Sequence, residues 1–183
     1  MKRLILVLAA VAGLTLSSAA VFAHGPPGAV FTTTWDGTEV NANTFEYAWD
    51  VFLDGGPGPN APSDAAALPA GDYVFQVTDP SGKTLLSTDA PECRTFHVDE
   101  AGLISAVGDP EGCGHATGYD VDHGALTVQL FPFDVTANAG GVYKVWVTPL
   151  GQFDATSGKY HGFAPSDSKT DNFRVLYQEG IPD

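Results

Sequence analysis

The stretch that most constrains the fold is residues 68–88, LPAGDYVFQVTDPSGKTLLST. Side chains alternate between the two faces of an extended chain, so Tyr73, Phe75 and Val77 share one face and Gln76 falls on the other. The run DPSG at 79–82 supplies turn chemistry, because proline fixes φ at the second turn position and glycine accepts positive φ. We therefore predict a β-hairpin with strands at 72–78 and 83–87.

The strand chemistry of residues 71–78 recurs at 141–148, where GxYxFxVT is matched by GxYxVxVT. We interpret the two as central strands that obey the same alternation. The pattern resembles that of bacterial immunoglobulin-like and CnaB-type (prealbumin-like) surface modules. The resemblance implies a β-sandwich in an extracellular setting and brings no catalytic residue with it. The same alternation predicts a core that contains Tyr73, Phe75, Val77, Leu126, Val128, Leu130, Tyr143, Val145 and Val147.

The rest of the chain beyond residue 23 favours strands over helices. Proline and glycine recur at short intervals, and no window keeps the i, i+3, i+4, i+7 apolar spacing of a helix. The other predicted strands are 29–34, 48–53, 95–98, 103–107, 126–131, 142–148 and 172–177. Residues 54–67 and 152–169 are predicted as long surface connections, the first with a helical turn at 63–67. The predicted fold class is an all-β, antiparallel β-sandwich of eight or nine strands, with immunoglobulin-like or prealbumin-like topology.

The amino-terminal residues have the pattern of a secretory signal peptide. Lys2 and Arg3 precede an apolar run at 4–16, and the small residues up to Ala23 fit a cleavage site. The run is too short to span a bilayer comfortably, and no second long apolar segment follows. We predict a signal peptide at 1–23, a single domain at 24–183 and a secreted or extracytoplasmic location, in the periplasm or at the cell surface, with no membrane insertion after cleavage.

The charge of the mature chain excludes two kinds of partner. Without Lys2 and Arg3, six basic residues face 22 acidic ones, a net charge of −16. Nucleic acids and anionic membrane surfaces would be repelled, which leaves an extracellular protein or a glycan as the expected partner. Sixteen of the acids are Asp. Asp is favoured in the turns of a loop-rich β protein, and clustered Asp is also the calcium ligand of extracellular modules.

Cys93 and Cys113 are the only cysteines. An even count in an exported chain predicts a disulfide, and this one would close a loop of about 20 residues. Two thiolate metal ligands are the alternative, which the need of structural zinc sites for four ligands disfavours.

The densest group of potential metal ligands is His115, Asp120, Asp122 and His123. The carboxylates would suit calcium and the imidazoles zinc or copper, but the further oxygens of an EF-hand loop are missing. The alternative is a polar loop in which Asp and His cap turns. No bound cofactor is the primary expectation, with copper or calcium as the alternatives.

His24 would become the first residue after cleavage behind Ala23. Its amine and imidazole would then chelate one ion, which resembles the histidine brace of lytic polysaccharide monooxygenases and of some periplasmic copper-binding proteins. Copper(II) suits that nitrogen set. The second histidine of such a brace would be His97, His115, His123 or His161. The alternative is an ordinary cleavage junction.

No pattern indicates an enzyme. The GxSxG elbow of serine hydrolases and a phosphate-binding glycine loop are both missing. Trp35, Trp49 and Trp146, with the tyrosines, would suit a sugar-binding face, although a sandwich also needs large core residues. The sequence therefore predicts a non-enzymatic structural, adhesion or binding module of the cell envelope. A copper-binding protein or copper oxidase-type enzyme is the first alternative, and a carbohydrate-binding module is the second.

Overall fold

The computed structural model describes residues 25–56 and 66–177. The predicted signal peptide, His24 and residues 63–65 of the helical turn predicted at 63–67 lie outside these ranges. The described chain forms ten strands: β1 Val30–Thr33, β2 Thr44–Phe45, β3 Phe52–Gly55, β4 Gly71–Thr78, β5 Thr95–Val98, β6 Ile104–Val107, β7 Thr117–Asp120, β8 Ala125–Gln129, β9 Val142–Pro149 and β10 Lys169–Val175. Its helical elements are four 3-10 turns: Ala48–Asp50, Pro91–Cys93, Leu150–Gln152 and Lys159–Gly162. The predicted all-β class is confirmed.

The strands form two sheets that pack into a sandwich. The four-stranded sheet has the order β1-β3-β8-β7, and the six-stranded sheet has the order β2-β10-β9-β4-β5-β6. Neighbouring strands are antiparallel except β2 and β10, which pair in parallel. The two sequence-related strands β4 and β9 are neighbours at the centre of the larger sheet, where 73–78 pair with 144–149.

The predicted core residues lie between the sheets. Eight of the nine are at most 2% exposed, and Leu126 is partly buried against the same cluster. Leu126 is less covered because it pairs with Tyr119 on β7, the edge strand of the smaller sheet. The alternation of β4, β8 and β9 therefore gave the right register.

The outer face of the larger sheet is also buried, which alternation did not predict. Val74, Trp146 and Phe163 form a second apolar cluster, against which Phe153 packs from the connection before β10. Gln76 is 0% exposed, and its Nε2 donates to the backbone oxygen of Tyr160 at 3.0 Å. The predicted surface connection 152–169 thus covers the second face of β4 and β9.

The turn of the predicted hairpin is confirmed, but the prediction of a return strand at 83–87 is wrong. Gly82 N donates to Asp79 O, and Asp79 N donates to Thr84 O, which closes the turn. Beyond it, 83–87 makes only isolated bridges, from Leu85 to Thr78 and from Ser87 to Phe133. The Ser87 hydroxyl oxygen accepts a hydrogen bond from Val77 N at 2.9 Å. A side chain replaces a backbone partner there, so no regular ladder forms.

One further strand prediction needs correction, and two strands were missed. Residues 48–50 form a 3-10 turn, and the strand predicted at 48–53 begins only at Phe52. The two-residue strand β2 was missed because it is too short for a pattern. Strand β7 was missed because its sequence, TGYD, was interpreted as polar loop.

The Cys93–Cys113 disulfide is confirmed, with an S–S distance of 2.05 Å and a Cα–Cα distance of 5.2 Å. It joins the 3-10 turn before β5 to the segment before β7. Within the described ranges, no helix has the length and apolar character to cross a bilayer.

Replacement of Phe75 by alanine tests the core. Phe75 is fully buried, and the cavity left by its ring should lower the free energy of unfolding by about 3–5 kcal/mol. Urea unfolding followed by circular dichroism measures the change. The exposed Tyr119 (49%) provides the control, because Tyr119→Ala should change stability by no more than about 0.5 kcal/mol. Equal effects of the two substitutions would contradict the packing described here.

Candidate functional site

The three tryptophans lie in three different environments. Trp146 is 4% exposed, and its indole N–H donates to Thr78 Oγ1 at 3.0 Å, so it belongs to the core. Trp49 stacks on Tyr47 with ring centroids 4.6 Å apart. Trp35 is 63% exposed, on the loop after β1. The three do not form the single aromatic face that the sequence suggested, and Trp35 is the tryptophan most available to a ligand.

Trp35 lines a groove of about 330 Å³ between the loop after β1 and the segment that runs from β2 to the 3-10 turn. The buried rings of Phe45 and Phe52 also line it. Glu46 and Asp50 contribute carboxylates from one wall, and Glu39 contributes a third from the wall of Trp35. Apolar rings with a few convergent polar groups are the usual lining of a ligand site.

Backbone and side-chain hydrogen bonds hold the wall formed by 44–50. Tyr177 N donates to Glu46 O at 2.9 Å, and Leu176 N donates to Phe45 O at 3.0 Å. Gln129 Nε2 on β8 donates to Trp49 O at 2.8 Å. This wall is therefore tied to both sheets, which fixes its backbone before any ligand binds.

The loop of Trp35 is ordered by the carboxylate of Asp36. Asp36 Oδ1 accepts from Thr34 Oγ1 at 2.7 Å and from Thr38 Oγ1 at 2.9 Å. These hydrogen bonds favour the ionised form and lower the pKa of Asp36 below its usual value. The loop is consequently a hydrogen-bonded turn in which Trp35 has a defined place.

The same loop crosses the outer face of the four-stranded sheet and is fastened there by one carbonyl. Trp35 O accepts from Tyr119 N at 3.0 Å and from Thr127 Oγ1 at 2.8 Å. A Cβ on Gly118 would lie 1.7 Å from that oxygen. Only glycine at 118 lets the loop approach β7 so closely.

Two carboxyl groups are buried beneath this loop. Asp54 on β3 and Asp120 on β7 are each 2% exposed, and they lie close enough for the charge of one to act on the other. Burial, reinforced by the charge of Asp120, raises the pKa of Asp54 to about 7. Burial acts in the same direction on Asp120, but hydrogen bonds from the His123 ring at 2.6 Å and from the amides of Asp122 and His123 outweigh it and lower its pKa. Asp54 therefore holds the proton and Asp120 carries the charge at mildly acidic pH.

Gly37 connects the carboxyl pair to the loop. Its φ is +72°, and a Cβ there would lie 2.5 Å from Asp120 Cβ. The backbone of the Trp35 loop thus packs directly on Asp120, and only glycine fits at position 37.

The structure brings only part of the predicted metal cluster together. Asp120 and His123 are hydrogen-bonded, whereas His115 lies against Phe75 of the core, and Asp122 is exposed. Within the described ranges, no three His, Cys, Asp or Glu side chains are placed to hold one metal ion. His24 lies outside these ranges, so the copper hypothesis stays a prediction.

His115 takes part in a buried polar network instead. Its Nε2 is 2.8 Å from Asp89 Oδ2, and its Nδ1 is 2.8 Å from Gln129 O. Asp89 Oδ1 faces Arg94 Nε at 3.6 Å, and Arg94 Nη1 donates to Phe75 O at 3.1 Å. Burial lowers the pKa of Arg94, although Asp89 opposes this shift. The network links the chain before β5 to β4 and β8, which favours a structural role for His115.

The two remaining described histidines also have partners. His97 Nδ1 lies 2.8 Å from Asp72 Oδ1 on the neighbouring strand, and His161 Nε2 lies 3.0 Å from Lys83 O.

Sequence reasoning missed Asp54 and the three groove carboxylates. Asp54 had a usable signal, because it follows the apolar run Val51-Phe52-Leu53 and so extends a buried strand. Glu39, Glu46 and Asp50 had none, because their convergence depends on how the loop after β1 packs against 44–50.

Comparison of the chain with known proteins found no relative: it matches no family model, no curated protein and no solved structure.

Gly118→Ala tests the close approach of the loop. The added methyl group would collide with Trp35 O, a backbone atom, so we expect a loss of about 1–3 kcal/mol of stability and greater acrylamide quenching of Trp35 fluorescence. Gly158→Ala is the matched control, because Gly158 has φ −72° and no atom within 4 Å of an added Cβ. A stable Gly118→Ala protein with unchanged quenching would rule out this contact.

Asp54→Asn tests the carboxyl pair. The folded-state pKa of about 7 exceeds the ordinary value of 3.8, so the contribution of Asp54 to stability is complete below pH ~3.8 and is lost as pH rises to ~7. Asparagine has nearly the same size as aspartic acid and does not ionise. The variant should therefore gain stability relative to the parent across this window, by on the order of 4 kcal/mol in total, and level off above it.

Denaturant unfolding across this pH range measures the difference between variant and parent. Asp109→Asn, an exposed acid after β6, should give a difference that does not vary with pH. A pH-independent difference for Asp54→Asn as well would show that Asp54 ionises normally in the folded protein.

Proposed function

We propose that this protein is an exported, non-enzymatic binding module of the cell envelope or extracellular space, and that it holds a glycan in the groove lined by Trp35. The observation that carries the proposal is the groove itself: an indole that is 63% exposed beside buried phenyl rings and three carboxylates.

The chemistry of the groove suits a sugar. A pyranose ring has apolar C–H faces and a rim of hydroxyl groups. An exposed indole provides a large flat surface for such a face at little cost in conformational entropy. Hydroxyl groups donate short, charge-assisted hydrogen bonds to carboxylates, and Glu39, Glu46 and Asp50 are the acceptors.

The order of the two walls supports a binding role. Hydrogen bonds from Thr34 and Thr38 fix one wall, and the β10 terminus and Gln129 fix the other. A preformed groove loses little entropy when a ligand binds.

An exported location is supported by the predicted signal peptide at 1–23 and by the Cys93–Cys113 disulfide, since disulfides persist mainly in oxidising compartments. The resemblance of β4 and β9 to immunoglobulin-like and CnaB-type modules agrees with a binding or adhesion role at the cell surface.

Affinity electrophoresis in gels that contain soluble polysaccharides tests the proposal, and fluorescence titration with the matching oligosaccharides gives the dissociation constants. At least one glycan should retard the protein and shift its tryptophan emission. Trp35→Ala should weaken binding by at least about tenfold, because the main apolar contact is lost. Trp35→Phe should retain part of the affinity.

Tyr119→Ala serves as the control, because Tyr119 is an exposed aromatic residue outside the groove, and it should bind like the parent. Lack of retardation by neutral, acidic and basic glycans alike would refute the glycan proposal, as would equal losses in the Trp35→Ala and Tyr119→Ala proteins.

A further inference from the structure

The three carboxylates of the groove have no cationic partner. No lysine, arginine or histidine of the described chain forms an ion pair with Glu39, Glu46 or Asp50. Glu39 and Glu46 are exposed at the rim, and Asp50 is half-buried. Three uncompensated carboxylates around one cavity of about 330 Å³ produce a negative potential that the low-dielectric walls concentrate inside the cavity.

Three of the six basic side chains beyond the predicted signal peptide contact other parts of the protein. Arg94 is buried beside Asp89, and Lys144 and Lys159 lie over the rings of Trp146 and Tyr160. The backbone of Arg174 is next to the groove, since Arg174 pairs with Thr44 on β2. Its guanidinium lies at the turn before β9, where Nη2 would be 3.8 Å from a Cβ on Gly140. None of the six basic residues beyond the predicted signal peptide lines the groove.

A ligand that matches this groove needs an apolar face for Trp35 and positive charge for the carboxylates. A neutral sugar meets only the first requirement, and a simple polyamine meets only the second. We propose that the groove is specific for a cationic amino sugar, a glycan of glucosamine type whose amines are free and protonated. This inference rests on the proposed glycan-binding function and adds the charge of the ligand to it.

The proposal assigns separate roles to the groove residues. Trp35 contacts the C–H face of one sugar ring and contributes affinity that depends little on salt. Glu39, Glu46 and Asp50 surround the ammonium groups and contribute affinity that falls as salt rises, because exposed charges are screened. Opposite charges across the interface also raise the association rate.

The experiment compares oligosaccharides of one length and linkage that differ only at carbon 2. These are β-1,4-linked glucosamine, N-acetylglucosamine and glucose tetramers, titrated calorimetrically at one mildly acidic pH where the free amines are protonated. The glucosamine tetramer should bind roughly tenfold more tightly than either neutral tetramer at low salt, and the advantage should shrink as salt rises.

Charge-neutral variants identify the residues responsible. Glu39→Gln and Glu46→Gln should each weaken binding of the glucosamine tetramer by roughly two- to fivefold. They should weaken the neutral tetramers less, because the amide oxygen of glutamine still accepts from a hydroxyl group. The double variant should remove most of the preference. Glu100→Gln, an exposed residue between β5 and β6, removes the same charge and should preserve the preference. Both rim glutamates are exposed, so thermal melts should show that the variants fold like the parent.

The outcomes separate the two proposals. If the neutral tetramers bind as well as the glucosamine tetramer, the charge preference is refuted and glycan binding stands. If spermidine binds as tightly as the glucosamine tetramer and Trp35→Ala leaves that affinity unchanged, the groove recognises amines without the sugar and the amino-sugar proposal fails. If no glycan binds, the proposed function itself fails.

Discussion

Burial of both faces of the central pair β4 and β9 is the constraint from which the rest of the fold follows. One face carries the side chains that meet the four-stranded sheet, and the other carries Val74, Gln76 and Trp146. A second buried face needs its own cover, and the connection before β10 provides it. The connection removes Gln76 from solvent, and the side-chain Nε2 of Gln76 donates to the backbone oxygen of Tyr160 in that connection.

The outer face of the smaller sheet is covered in a different way. Its outer face carries Phe31, Phe52 and the buried acids Asp54 and Asp120, and the loop after β1 crosses part of it. One carbonyl of that loop, Trp35 O, accepts from two donors on β7 and β8, over a glycine that has no side chain to obstruct the approach. Because the backbone of the loop faces inward, the indole of Trp35 remains exposed at the rim of the groove.

The carboxyl pair under the loop is costly to bury, and its environment reduces that cost in two ways. Asp54 takes up a proton, so the pair carries one negative charge instead of two. Asp120 keeps its charge because the His123 ring and two backbone amides donate to it. The groove differs: Glu39 and Glu46 are exposed, Asp50 is half-buried, and no side-chain hydrogen bond to these three carboxylates is found in the described part of the chain. Acidic side chains are therefore buried and hydrogen-bonded in one place and open to solvent in the other, and the fold decides which.

The sequence by itself determined the class of fold, the register of β4, β8 and β9, the turn at 79–82 and the disulfide. These follow from local rules: side chains alternate along a strand, proline and glycine favour turns, and two cysteines in an exported chain form a bond.

The groove could not be predicted from any such local rule. Trp35, Glu46 and Asp50 have no common spacing, and they meet because the loop after β1 packs on β7 while 44–50 is held by β10 and β8. The separation of His115 from His123 likewise depended on the fold, because short spacing along the chain does not say which side of a strand a ring will occupy. Only tertiary packing brings distant segments together and decides which polar groups lose water, and that decided both the carboxyl pair and the candidate site.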